Sequence, residues 1–273
     1  EIIIIKNVDC EEKIFINFSP QSGATTPPYN YFTIGPISDS GSNNIQGGWS
    51  GGAQTYFQND STNDESIVNT IYSSSPQSWY IGSKTLYGNP GQGSPFTPAL
   101  SIQTDATDET AFNNAITSGK TFIYSFKFYV KSDASVSSVS EVLKIYNGSY
   151  SGTDRTGLNV NIFNNYTSVD IKSYTYDNGS FPLIDIATGL AVNTWHTFQI
   201  NVTYTDTDPA NDIYLYSVNE GVQINVPSWP NIWRQANGFA PNYGTWLAFA
   251  KGDTNSEGSG YGFYIDDINI CMK

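Results

Sequence analysis

The second half of the chain is a series of short segments in which apolar and polar residues alternate. Eight of them follow one another from residue 121, separated by turns rich in Gly, Ser, Asn and Asp: TFIYSFKFYVK, EVLKIYNG, GLNVNIFNN, SVDIKSYTY, TWHTFQINVTY, DIYLYSVN, TWLAFAK and GYGFYIDDINI. Alternation with a period of two is typical of a strand that buries one face. The sequence therefore predicts an all-β fold, a two-sheet antiparallel β-sandwich of the jelly-roll type.

The first half of the chain predicts fewer regular elements. EIIIIKNV and EKIFINFS are expected to form an N-terminal strand pair, and residues 20–60, rich in Gly, Ser, Pro and Asn, to form long loops. One short helix is predicted in TDETAFNNAITSG, capped by Thr107 and ended by Gly119. Because no internal repeat and no linker divides the chain, we expect residues 1–273 to form a single jelly-roll domain.

Alternation divides the side chains of these strands into two sets. The apolar set is expected to form the core: Phe126, Phe128, Val130, Leu143, Ile145, Leu158, Val160, Ile162, Val169, Ile171, Phe198, Ile200, Val202, Ile213 and Leu215. The opposite set is rich in Lys, Tyr and Asn: Lys127, Tyr129, Lys131, Lys144, Tyr146, Asn159, Asn161, Phe163, Lys172, Tyr174, Tyr176, Trp195, Thr197, Gln199, Asn201, Tyr214 and Tyr216. Lysines interleaved with tyrosines favour a groove for an anionic polysaccharide. The alternative is that these residues only decorate exposed strands.

Charge and cysteine content narrow the class of protein. The formal net charge of −13 argues against nucleic-acid binding, which needs a basic surface. No apolar run is long enough to span a membrane, and the chain begins at Glu1 without Met, as a trimmed secreted protein would. The two cysteines, Cys10 and Cys271, are either two buried thiols or a disulfide joining the first strand to the last. We favour the disulfide, which implies an oxidising compartment.

Two segments near the C-terminus resemble a known superfamily. TWHTFQINVTYTDTDPANDIYLYSVNEG is similar to the strand pair of concanavalin A-like lectins and glucanases in which a strand beginning with Trp-His leads to "LYVNG". GFYIDDINI is similar to the closing strand of many carbohydrate-binding and polysaccharide-cleaving jelly rolls. The superfamily includes lectins, hydrolases, lyases and adhesion modules, so the resemblance implies the fold and leaves the function open.

A second resemblance, to jelly-roll alginate and glucuronan lyases, implies a chemistry. Those enzymes carry a groove lysine, a polar pair two residues apart and then Tyr-x-Tyr; here Lys127 or Lys131, then Asn159 and Asn161, and then Tyr174 and Tyr176 match these positions. The family's polar pair usually contains an arginine, which is absent here. The resemblance implies Tyr174, Tyr176 and Lys131 as catalytic residues. The substrate-binding set is Lys127, Tyr129, Lys144, Asn159, Asn161, Lys172, Gln199, Trp233 and Arg234.

The sequence thus predicts a secreted lyase that cleaves a uronate polysaccharide by β-elimination and needs no cofactor for catalysis. A non-catalytic binding module or lectin is the alternative. A glycoside hydrolase comes third, because Glu141, Asp170 and Asp185 are isolated and form no E-x-D-x-x-E motif.

Three other features complete the sequence prediction. By alternation the single histidine, His196, belongs to the core edge and not to a catalytic site. WPNIWR is predicted to be a Pro-flanked loop in which Trp229, Trp233 and Arg234 form a lip over a sugar; the alternative is that the tryptophans belong to the core. Asp267, beside Asp266, is a candidate ligand for a structural Ca²⁺; the alternative is that one of these aspartates simply ends the strand.

Overall fold

The fold is described for part of the chain. The computed structural model describes residues 12–16, 35–36, 49–51, 66–74, 76–81, 96–98, 119, 121–131, 141–146, 159–204, 212–239, 248–252 and 262–273. The predicted strand at residues 1–8 and the predicted helix at 107–119, apart from Gly119, lie outside the described residues. So do Cys10 and Leu158.

The described residues form sixteen strands and one helix. The strands are β1 (Glu12–Ile16), β2 (Gly35–Pro36), β3 (Trp49–Gly51), β4 (Ser66–Val68), β5 (Ser78–Ile81), β6 (Phe96–Pro98), β7 (Thr121–Val130), β8 (Glu141–Tyr146), β9 (Asn159–Asn164), β10 (Val169–Tyr174), β11 (Leu183–Leu190), β12 (Trp195–Thr203), β13 (Ile213–Val218), β14 (Ile224–Asn225), β15 (Ala248–Gly252) and β16 (Phe263–Met272). The helix is α1 (Trp229–Ala236). All eight strands predicted after residue 120 are present. Strands β2 and β3 fall in the segment that was predicted to be loop.

The strands form two antiparallel sheets. The nine-stranded sheet has the order β14-β13-β12-β7-β16-β5-β4-β2, and β1 also pairs with β16. The seven-stranded sheet has the order β11-β10-β9-β8-β15-β6-β3. The first and last strands are therefore neighbours, with Lys13 opposite Cys271. This confirms the predicted all-β sandwich; Cys10 lies outside the described residues, and the Cys10–Cys271 disulfide stays a prediction.

The core lies between the sheets and takes side chains from both. Phe126, Phe128 and Ile200 of the nine-stranded sheet are buried with Ile145 and Val160 of the seven-stranded sheet. Burying this apolar area is the main stabilising contribution to such a fold. The core face was predicted correctly for β7, β8, β9, β10 and β12.

The predicted orientation of β13 is wrong. Ile213 is 41% exposed, whereas Tyr214 and Tyr216 are 1% and 2% exposed and belong to the core. The strand register explains this, because Tyr216 lies opposite Ile200 and Tyr214 opposite Val202, both on the core face of β12. The ring of Tyr216 spans the layers, and its hydroxyl lies 3.4 Å from Ser173 Oγ on the other sheet.

The predicted loop WPNIWR is helical. Ser228 precedes α1, and Pro230 occupies its first turn. A backbone N–H has no acceptor within the helix at that position, so the proline removes no helical hydrogen bond. The buried Asn231 side chain donates a 2.6 Å hydrogen bond to Asp212, which fixes the helix beside the start of β13. Gly238, with a φ of 75°, follows the helix and allows the chain to turn away.

Candidate functional site

The residues predicted to line one groove lie on the two opposite outer faces of the sandwich. Lys127, Tyr129 and Gln199 belong to β7 and β12 of the nine-stranded sheet, and Lys131 follows β7. Asn161, Lys172 and Tyr174 belong to β9 and β10 of the seven-stranded sheet, where Lys144 and Asn159 are located by strand register. The single groove is therefore wrong, because the core separates the two sets.

The seven-stranded sheet brings together the second set, which we call the Asn–Lys–Tyr face: Asn161, Lys172 and Tyr174. Asn161 and Lys172 are direct cross-strand partners, and Lys144 is the partner of Asn161 on its other side. Tyr174 lies two residues beyond Lys172 in β10, so the two side chains project from the same face. Lys172 and Tyr174 are partly exposed, so one ligand lying along this face can contact both, whereas the Asn161 side chain lies beside them but is buried.

Asn161 has an unusual environment. Its side chain is 2% exposed, and its Oδ1 atom accepts no hydrogen bond in the described structure. A buried, unpaired carbonyl typically costs about 1–3 kcal/mol. A ligand hydroxyl would remove that cost only if neighbouring side chains moved to open this oxygen.

Lys172 is held as a cation by carboxylates. Its Nζ lies 2.9 Å from Oδ1 of Asp185 in β11. The hydrogen bond that Lys172 donates to Asp185 raises the pKa of Lys172, burial opposes this, and the charges of Asp185 and Asp170 raise the pKa further. Both acids lie within strands, and Asp170 also accepts the backbone N–H of Gly189 at 2.9 Å. Sequence analysis missed β11, and with it the ion pair between Lys172 and Asp185.

Tyr176 lies just past β10, in the turn that leads to β11. Its ring packs on Phe181 with a centroid distance of 5.4 Å, and Phe181 contacts Trp229 of α1 edge-on at 5.1 Å. Trp233 stacks on Phe239, and the guanidinium of Arg234 lies over the same ring. An aromatic chain thus connects the turn that carries Tyr176 with α1, which supports a position of Trp233 and Arg234 near that end of the sheet.

The nine-stranded sheet carries Lys127 in a paired state. Its Nζ lies 2.8 Å from Oδ2 of Asp267 and donates to Ser73 Oγ at 2.9 Å. The positive charge of Lys127 is therefore already compensated by a carboxylate. The binding of substrate by Lys127 stays a prediction.

Asp266 and Asp267 form a bulge opposite Lys127, where the register of β16 against β7 shifts. Asp266 is fully buried, and its carboxylate accepts the backbone N–H groups of Ser73 at 2.9 Å and Asp267 at 2.9 Å. Burial raises the pKa of Asp266 to about 6, although the hydrogen bond from Ser73 opposes the shift. The carboxylates thus face hydrogen-bond donors and an ammonium. The described residues contain no group of three or more metal-ligating side chains; Ca²⁺ at Asp267 stays a prediction.

His196 is part of the structure's interior, as predicted. It is 4% exposed and its ring packs against Phe128 at a tilt of 34°. Its Nε2 lies 2.7 Å from the carbonyl of Ala191, and its Nδ1 lies 2.9 Å from the amide of Asn219. Both ring nitrogens are used, the first as donor and the second as acceptor, which leaves none for proton transfer to a ligand.

The chain is similar in fold to several solved proteins that act on carbohydrates. A double mutant of alginate lyase Aly36B in complex with alginate trisaccharide is 10% identical, with a TM-score of 0.48, and the alignment covers 96% of this chain and 98% of that chain. Endo-β-1,4-glucuronan lyase from the fungus Trichoderma reesei is 12% identical, with a TM-score of 0.43 and coverages of 76% and 86%. A carbohydrate esterase from Shiga toxin-encoding bacteriophage phi24B is 13% identical, with a TM-score of 0.47 and coverages of 82% and 89%.

Alginate and glucuronan lyases are thus among the structures similar to this chain, in agreement with the resemblance seen in the sequence. No family model and no curated protein matches it. At such low identities and TM-scores the similarity assigns no residue role and no reaction. No described helix is both long and apolar enough to cross a membrane.

Proposed function

We propose that this protein is a secreted polysaccharide lyase that cleaves a uronate-containing polymer by β-elimination on the Asn–Lys–Tyr face. The observation that carries the proposal is the alignment of Asn161, Lys172 and Tyr174 on one face of neighbouring strands. These are the three kinds of group that the reaction needs: a neutral hydrogen-bonding amide, a cation and a phenol. The similarity of fold to alginate and glucuronan lyases agrees with this reaction but does not carry the proposal.

The first task of such a site is to bind the sugar carboxylate. The Lys172 ammonium neutralises its charge, and the amide of Asn161, which is buried in the free protein, forms a hydrogen bond to the same sugar once neighbouring side chains move aside. Neutralising the carboxylate makes the neighbouring C–H bond more acidic. Hydrogen bonds to charged groups are about twice as strong as neutral ones, so Lys172 contributes most to this step.

The second task is proton transfer. The Tyr174 phenolate removes the proton next to the carboxylate, the electron pair of that C–H bond forms a carbon–carbon double bond, and the glycosidic C–O bond breaks. The leaving oxygen takes a proton from a phenol, either that of Tyr176 or the newly protonated Tyr174. The products are an unsaturated sugar at one new end and a hydroxyl at the other, so all atoms are accounted for, and the proposed reaction uses side chains alone.

Asp185 affects how strongly Lys172 binds the sugar carboxylate. Its carboxylate is 60% exposed and already pairs with Lys172. A uronate must therefore compete with Asp185 for the ammonium, or share it. This competition limits affinity for the polymer and leaves Lys172 charged when no substrate is bound.

The decisive experiment replaces Tyr174 by Phe. This removes the hydroxyl and keeps the ring, so the fold and the stacking contact persist. We expect turnover of alginate or glucuronan, followed by the ultraviolet absorbance of the unsaturated product, to fall by about 10²–10⁴-fold, the usual contribution of a general acid or base. Binding of the polymer should change little.

Tyr129→Phe is the matched control, because Tyr129 is also a partly exposed strand tyrosine but lies on the opposite outer face. It should keep wild-type turnover. If the Tyr174 variant is fully active, or the two variants lose activity equally, the assignment is wrong. If the wild type binds polyuronates and degrades none of them, the protein is a binding module or lectin.

A further inference from the structure

The outer face of the nine-stranded sheet carries an unbroken row of four aromatic rings, which we call the aromatic row: Trp195, Tyr129, Tyr264 and Tyr80. They come from four neighbouring strands, β12, β7, β16 and β5. Each is the direct cross-strand partner of the next. Since neighbouring strands are about 4.8 Å apart, the row extends over about 15 Å.

The rings contact one another along the whole row. The centroids of Trp195 and Tyr129 are 5.6 Å apart, those of Tyr129 and Tyr264 are 5.8 Å apart, and those of Tyr264 and Tyr80 are 4.9 Å apart. The ring planes are tilted by 53°, 88° and 42°. Mutual packing fixes these side chains before any ligand arrives, so little conformational entropy is lost on binding. Trp195, Tyr129 and Tyr80 stay partly exposed.

Hydrogen-bonding groups flank the row. The Tyr129 hydroxyl lies 3.4 Å from Oδ1 of Asn193. Farther along the strands, Gln199 and Asn269 are partly exposed on the same outer face, and Gln199 Nε2 donates to Asn201 at 3.0 Å. Apolar ring faces beside amides and hydroxyls match a sugar, whose C–H face stacks on aromatic rings while its hydroxyls need polar partners.

The charges near the row balance. Lys127, two residues before Tyr129 in β7, is paired with Asp267, Asp266 lies opposite it, and Lys131 follows β7. Among the residues that the structure describes near the row, two lysines thus accompany two aspartates, which offers a polyanion no excess of positive charge. A neutral glycan is the ligand that suits the aromatic row.

We propose that the aromatic row is a second carbohydrate-binding site, on the opposite side of the sandwich from the Asn–Lys–Tyr face, and that it binds a neutral glycan chain by stacking. It would hold the protein on a neutral polysaccharide while the other face acts on uronates. The alternative is that the rings only stabilise the sheet, as cross-strand aromatic pairs do.

The test uses cellohexaose as a neutral glycan and isothermal titration calorimetry as the measurement. Wild type should bind it, and Trp195→Ala and Tyr80→Ala should each weaken binding by about three- to tenfold, the value of one aromatic contact. Ile213→Ala is the control: Ile213 is an exposed apolar residue of the same sheet, outside the row, and its removal should leave binding unchanged. Absence of binding by the wild type, or equal binding by Trp195→Ala, would overturn the proposal.

Trp195→Phe covers the case in which the alanine variant does not fold. It keeps a ring in the row and removes one fluorophore, so saturating cellohexaose should shift tryptophan emission in the wild type and much less in this variant. An identical shift in both refutes the role of Trp195. Raising the salt concentration should not weaken binding, because stacking is not screened; strong salt dependence would contradict a neutral ligand.

The proposed lyase reaction and the proposed glycan binding by the aromatic row can be refuted independently of each other. Tyr174→Phe should bind cellohexaose normally, and Trp195→Ala should cleave short soluble uronate oligomers at the wild-type rate. Cellohexaose binding that depends on Trp195 in a protein without lyase activity would refute the proposed reaction and support the aromatic row. Lyase activity without cellohexaose binding would support the proposed reaction and refute the proposed role of the aromatic row.

Discussion

The buried carboxylate of Asp266 should make the stability of this protein fall as pH rises from about 4 to about 6. Asp266 is fully buried, and burial raises its pKa from 3.8 to about 6. Between these values the native state holds a proton that the unfolded state has lost. The free energy of unfolding therefore decreases as pH rises through this window and receives no further change from this group above it.

The size of this change in the free energy of unfolding follows from the shift in the pKa of Asp266. A shift of about two pH units, at about 1.4 kcal/mol per unit, gives about 3 kcal/mol. Asp266→Asn removes the titration and keeps one oxygen to accept a backbone N–H, as the protonated acid does. Relative to the wild type, the variant should therefore gain about 3 kcal/mol between pH 4 and pH 7.

Urea unfolding followed by tryptophan fluorescence at several pH values measures this difference. Comparing variant with wild type at each pH cancels the titration of the other acids. Asp185→Asn serves as control, because that carboxylate is 60% exposed; its stability difference should stay within about 0.5 kcal/mol at every pH. A difference for Asp266→Asn that is constant with pH, or that moves in favour of the wild type, would refute the reasoning.

Two other predictions concern single contacts. Asp185→Asn should strengthen binding of alginate or glucuronan at low salt, because it removes the carboxylate that competes for Lys172; weaker binding in a calorimetric titration would contradict this role. Cys10 and Cys271 should form a disulfide, since β1 pairs with β16, and a thiol assay on denatured, unreduced protein should then detect no thiol. Two free thiols per chain would show that the pairing is wrong.

The sequence determined which residues share a face within most strands. In β7, β9 and β12 the alternation of apolar with polar residues marks the core face, because successive side chains in a strand point to opposite sides. The same reasoning assigned His196 to the interior. These are local properties, fixed by a period of two and by the cost of leaving apolar area in water.

Sequence patterns predicted the wrong structure where two local conformations, or two orientations of a strand, have similar free energies. In β13 either face is apolar, and only pairing with β12 decided that Tyr214 and Tyr216 are buried and Ile213 is exposed. In WPNIWRQA the proline suggested a loop, yet a proline in the first turn suits a helix.

Only the tertiary structure decided which polar faces belong together. Lys127 and Lys172 each lie on the polar face of an alternating strand. Their strands, β7 and β10, nevertheless belong to different sheets. Alternation specifies the two faces of one strand and carries no information on which sheet the strand joins. Sheet membership depends on hydrogen bonds between distant segments, and these put Asn161, Lys172 and Tyr174 on one side of the core and the aromatic row on the other.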